Sequence, residues 1–95
     1  MLTDKIRKIV TLNHRAVLTT FRKSGAVQMS IVTVGIYSVG VAFTVSPQSA
    51  KLANLRRNPR CSLMVAQGDW LDYAVLECRA QVLSPDGAPP EELRL

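Results

Sequence analysis

Apolar residues along this chain change spacing several times, and each change predicts an element. Ile6, Ile9, Val10 and Leu12 form an approximate helical stripe that Thr3-Asp4 can cap, so a first helix is predicted, ending at Asn13-His14. "RAVLTTF" (15–21) is β-branched and aromatic, which predicts a strand. Lys23-Ser24-Gly25 then reads as a hairpin turn, glycine supplying the positive φ such turns commonly need. "AVQMSIVTVGIY" (26–37) and "VAFTV" (41–45) follow as strands across a tight Ser38-Val39-Gly40 turn. Strands joined by turns this short form an antiparallel meander.

After Val45 the pattern switches to helix. Ser46-Pro47 offers a hydroxyl cap and a proline suited to the first helical position, and Ser49 is an alternative cap. Leu52 and Leu55 supply a narrow apolar stripe, and Pro59 forces Asn58 out of helical geometry. "RCSLMVA" (60–66) returns to a strand, Gln67-Gly68-Asp69 turns, and Trp70 opens the last long strand. There Ala74, Leu76, Cys78, Ala80 and Val82 alternate with Val75, Glu77, Arg79 and Gln81, which lays one apolar row against a core. Ser84-Pro85-Asp86-Gly87 breaks it, and Pro90-Glu91-Glu92-Leu93 reads as another helix start. Five or six strands around one short helix predict a small, mainly β barrel.

Ninety-five residues, 47% of them apolar, suit one folded domain over 1–95 with a small core. A β-rich unit of this size often gains further burial by dimerising. The net charge of +5 hides an asymmetry: residues 1–60 hold ten Lys/Arg against Asp4 alone, and residues 61–95 hold Arg79 and Arg94 against six acids. A basic half suits an anionic partner such as a phosphate-bearing ligand, nucleic acid or a lipid surface, or else a match between the two halves across the fold or a dimer. Met1 to Val10 is too charged for a signal peptide. Ser24 to Ala50 makes 27 consecutive uncharged residues, but its polar residues with Gly25, Gly35 and Gly40 divide it into strand-sized pieces, so no membrane span is expected. Cys61 and Cys78 form neither a disulfide framework nor a zinc site, and suit a reducing cytoplasm.

The chemistry concentrates where strand turns into helix. A helix start presents unpaired N–H groups and the positive end of its dipole. Ser46, Ser49 and the Lys51 ammonium add converging donors of the kind that hold a phosphate, although serine caps are commonplace in plain helices too.

The order of strand, Lys23-Ser24-Gly25 turn, uncharged strand, Phe43-Thr44, Ser49-Ala50-Lys51, "NLRRNPR" (54–60), strand and "DWLDYAVLECRAQV" (69–82) resembles the pyridoxamine 5′-phosphate oxidase-like split-barrel family. It looks most like the branch whose members use FMN or the deazaflavin coenzyme F420, and the likeness covers roughly residues 5–85. The resemblance implies a six-stranded antiparallel split β-barrel that forms a homodimer, with the cofactor in the groove between protomers. Ser49 and Lys51 match the family's phosphate-binding serine and lysine, and Thr44 and Ser46 match the strand end and loop that approach the phosphate and ribityl chain. Ser30, Ile31 and Val32 match the strand whose backbone runs alongside the ring. Trp70 matches an aromatic near the ring, with ordinary barrel or dimer packing as its other reading. Arg56 and Arg57 match helix arginines that either reach an anionic tail or stay solvated. Ala50 stands where relatives often have arginine, Ile31 and Thr33 where they often have proline and tryptophan, and Cys78 where they often have glycine; its thiol is expected to fill core volume. Relatives continue into a helix and last strand, so a stop at Leu95 implies a truncated chain or a reduced barrel.

No Ser-His-Asp, Cys-His or paired-carboxylate arrangement is visible, and His14, the only histidine, is expected to be structural. A flavin enzyme needs no catalytic side chain, because the ring carries the hydride. The expected function is thus an oxidoreductase acting on a small unsaturated or heteroaromatic molecule. The alternatives are a non-catalytic FMN or F420 carrier and, more weakly, a nucleic-acid-binding barrel, which the lack of aromatics interleaved with bases argues against.

Overall fold

The computed structural model describes residues 3–37 and 40–82. Helix α1 (Asp4–Leu12) is followed by strands β1 (Arg15–Phe21), β2 (Val27–Tyr37) and β3 (Gly40–Phe43), helix α2 (Ala50–Arg57), and strands β4 (Arg60–Ala66) and β5 (Tyr73–Arg79). The strands form one sheet in the order β3-β2-β1-β4-β5, and every neighbouring pair is antiparallel. β3 and β5 end the order without pairing to each other, so the sheet curls as a half-barrel, in keeping with the expected split barrel. The expected sixth strand and the helix from Pro90 lie outside the described residues, as does Ser38-Val39 of the expected turn.

Local chemistry explains the elements. Thr3 caps α1 by accepting the Ile6 N–H at 3.2 Å, and Asn13 ends it by donating backbone N–H and side-chain amide to the Ile9 carbonyl. Gly25 adopts φ +94°, which closes the β1–β2 hairpin with its N–H donating to Arg22 C=O at 2.8 Å. Residues 16, 18 and 20 of β1, 32 and 34 of β2, and 61, 63 and 65 of β4 are buried in strict alternation. α1 adds Ile9 and Val10 and α2 adds Leu55, so both helices fill the concave side of the sheet with one apolar cluster.

The β5 row of Ala74, Leu76, Cys78, Ala80 and Val82 packs against that cluster as the alternation predicts, although the strand itself ends at Arg79. Two boundaries move for local reasons. β3 covers Gly40–Phe43 rather than 41–45, because the chain leaves the sheet at Thr44. Trp70 does not open the last strand. Its N–H bonds back to Gln67 C=O at 3.0 Å and its φ is +63°, which places it in the β4–β5 turn. The strand starts at Tyr73. Among the described residues, no helix is long and apolar enough to cross a membrane.

Candidate functional site

Two neighbourhoods hold the predicted site residues. The first is the turn into α2. Ser49 is the cap: its Oγ accepts the Leu52 N–H at 3.3 Å and donates to Ser46 C=O at 2.8 Å. Ser49 N–H also donates to Ser46 C=O at 3.0 Å, so residues 46–49 make a turn first and the helix starts after Ser49, not at Ser46-Pro47. The Ala50 and Lys51 N–H groups start a helix and so have no acceptor within it. Lys51 is half-buried rather than exposed, and lies one turn before Asn54 on the same side of α2. No acidic side chain among the described residues pairs with its ammonium. Thr44 and Ser46 are exposed, the latter accepting the Gln48 N–H weakly at 3.5 Å.

Asn54 anchors this helix to the sheet. Its Nδ2 donates to Thr20 Oγ1 at 3.1 Å and Gln28 Oε1 at 2.8 Å, while its Oδ1 accepts from Arg57 at 2.8 Å. Arg57 also donates to Phe21 C=O at 3.1 Å, so it serves the fold although, like Arg56, it is exposed. Asn54 is nearly buried and its amide is satisfied on both sides, which fixes the helix start relative to β2.

The second neighbourhood is the convex face of the sheet. Ile31 on β2 pairs with Val17 on β1, Val17 with Met64 on β4, and Met64 with Val75 on β5. These four side chains form an apolar row across four strands, open to solvent at its ends, where Ile31 is 69% and Val75 54% exposed. Met29 extends the row along β2 and Tyr73 along β5, both exposed. At one side of the row lies an open, mainly apolar cavity of about 410 Å³. Ile31, Val17 and Met64 form its floor, Trp70 one wall, and His14 and Arg15 supply its polar edge. Trp70 is 63% exposed in a left-handed backbone conformation that a bulky residue seldom takes.

Alternation separates the three β2 residues. Ile31 points outward to the cavity, while the Ser30 and Val32 side chains point inward. The Ser30 hydroxyl is buried with no hydrogen-bond partner among the described residues. The structure thus joins Ile31 with Trp70 and leaves Thr44, Ser46, Ser49 and Lys51 outside that cavity's lining, at the chain segment leaving β3. Sequence reading missed Val17, Met64, His14 and Arg15 as cavity residues. Val17 and Met64 were legible in one respect: both are apolar at the outward positions of strands whose inward positions are apolar too. The His14 backbone carbonyl accepts the Val34 N–H at 2.8 Å, while the residue itself is exposed at the cavity.

Residues 2–95 match the family described as pyridoxamine 5′-phosphate oxidase. The chain belongs to that family. Family members commonly bind flavin and are often dimeric. Solved structures share the fold. A conserved hypothetical protein, Rv2991 from Mycobacterium tuberculosis, superposes with a TM-score of 0.74 at 24% identity, over 90% of this chain and 57% of that one. Atu2129 from Agrobacterium tumefaciens, described as of unknown function, superposes with a TM-score of 0.74 at 20% identity, over 90% of this chain and 42% of that one. The chain therefore spans about half the length of these structural neighbours.

Proposed function

We propose that this member of the pyridoxamine 5′-phosphate oxidase family binds FMN or coenzyme F420 and acts, as a cytoplasmic homodimer, as an oxidoreductase on a small unsaturated or heteroaromatic molecule. The observation that carries the reading is the apolar cleft on the convex face, floored by Ile31, Val17 and Met64 and walled by an exposed Trp70. A flat ring system needs such a surface, and a second protomer laid on the same face would remove it from water. When bound, the flavin or deazaflavin ring supplies the hydride chemistry.

The chain's own residues then bind, orient and exclude water. Lys51, half-buried with no acidic partner among the described residues, offers a cation to a phosphate. The Ala50 and Lys51 N–H groups add donors at the positive end of α2. Ser49 contributes by holding that helix start in place, because its hydroxyl is engaged on both sides. Thr44 and Ser46 are free to approach the ribityl chain. Ile31 supplies the apolar contact on β2, while Ser30 and Val32 contribute backbone groups only, their side chains facing inward. Trp70 packs on the ring or the partner protomer. These residues fit a phosphorylated flavin: a cation unpaired among the described residues and N–H donors at one place, and an exposed apolar surface at another.

Titration of the purified protein with FMN and, separately, F420 tests the reading and separates the two cofactors. One of them is expected to bind, and substrate-dependent bleaching distinguishes an oxidoreductase from a carrier. Lys51→Ala is expected to weaken binding by roughly tenfold to a hundredfold, the worth of a charge-assisted hydrogen bond. Equal affinity in wild type and variant removes the phosphate assignment, and salt-sensitive oligonucleotide binding without either cofactor would favour a nucleic-acid role.

A further inference from the structure

Cys61 and Cys78 lie outside the lining of the cleft, at the core side of β4 and β5. They stand 17 residues apart in sequence yet are direct partners across β4 and β5. The ladder bonds define what kind of pair this is. Gln67 N–H donates to Asp72 C=O at 2.8 Å at one end of the hairpin, and Ala80 N–H donates to Pro59 C=O at 2.8 Å at the other. Counting in steps of two along the ladder from either bond arrives at Cys61–Cys78, so the cysteines form a hydrogen-bonded pair with Cα atoms about 5.5 Å apart. That separation falls within the roughly 4.4–6.8 Å that a disulfide bridges.

Both side chains belong to the inward rows of their strands, Cys61 buried and Cys78 half-buried, and both are free thiols. The Cys78 S–H reaches Leu76 C=O at 3.3 Å. The neighbouring Cys61 thiol holds the Cys78 thiol below its ordinary range, against burial and the Glu77 charge. The same contact, with burial, pushes Cys61 up. Cys78, the less buried of the two, is the member a solute meets first, and Cys61 stands directly across the ladder from it. Access to the pair runs through Cys78, which is half-buried where Cys61 is buried; the open cavity of about 420 Å³ that both residues line belongs to the outward face, with Ser62, Val75 and Glu77.

We propose that Cys61 and Cys78 form a reversible redox pair that a low-molecular-weight disulfide closes, fastening β5, the end strand among the described residues, to β4. The Cys78 thiolate attacks one sulfur of the small disulfide, whose S–S bond breaks and releases one thiolate. Cys61 passes its proton to that departing thiolate and attacks the Cys78 sulfur, expelling the second small thiolate, which takes up the proton Cys78 had lost. The cysteine pair is oxidised by two electrons, and the small disulfide is reduced to two thiols. This inference is independent of the flavin reading.

The test uses the full chain under native conditions with oxidised glutathione, followed by acid quench, alkylation and mass spectrometry. No Lys or Arg lies between Cys61 and Arg79, so trypsin leaves both cysteines on one peptide, while cleavage at Asp69 and Asp72 separates them. The expected result is loss of two hydrogens from the tryptic peptide, joined fragments after cleavage at aspartate, and monomer mobility on a non-reducing gel. Cys61→Ala is expected to stop at a glutathione adduct on Cys78, and Cys78→Ala to leave Cys61 unmodified. An unchanged mass, a bridge formed only between chains, or closure only in denaturant overturns the proposal. The wild-type measurement decides it even where a variant fails to fold.

Discussion

The concave and convex faces of the sheet carry similar side chains and meet different fates. Leu18 is fully buried on β1, and Ile31, one ladder position from it on the neighbouring strand, is 69% exposed. On the concave side α1 and α2 cover Leu18, Val32, Leu63 and Val65. On the convex side, among the described residues, no element covers Met29, Ile31, Tyr73 or Val75. Half-buried antiparallel strands usually turn polar residues to water, so the apolar open face is the surface to which the proposed function assigns the cofactor ring and the second protomer. Membership of a family that is often dimeric and commonly flavin-binding points the same way.

Substitutions can break or sharpen that contrast. Leu63→Ala, on the covered face, is expected to lower unfolding free energy by about 2–5 kcal/mol in urea titration, because a buried cavity replaces a packed side chain. Asn54→Ala is next, at about 1–3 kcal/mol by the same measurement, since Thr20, Gln28 and Arg57 each lose a partner where water is scarce. Ser49→Ala should cost about 1 kcal/mol by removing the α2 cap. Ile31→Glu, on the open face, should change monomer stability by less than about 0.5 kcal/mol at low concentration while weakening self-association in sedimentation. A large stability loss in the dilute Ile31 variant would show that the two faces do not differ as described.

The helices, four of the strand positions and the β4–β5 alternation were legible because they depend on local rules: caps, periodicity and turn residues. Ser49 as a cap was legible as one of two options; its double bond to Ser46 made the choice. The position of Trp70 was not, because an aromatic after a turn reads as a strand until the backbone shows its positive φ. Val17 and Met64 escaped for another reason. Their apolarity looks like core in one dimension, and only pairing across strands reveals that they share a face with Ile31 and Val75.

By itself, the sequence determined the mainly β character, the family resemblance and the presence of a cationic, hydroxyl-rich helix start, since residue type and near-neighbour spacing set all three. Tertiary structure alone decided which face of each strand the helices cover. It also decided that Ile31 and Trp70 line one cavity, and that two cysteines distant in sequence meet across one hairpin. Strand register governs those meetings, and register is a property of pairs of strands that no single stretch of chain contains.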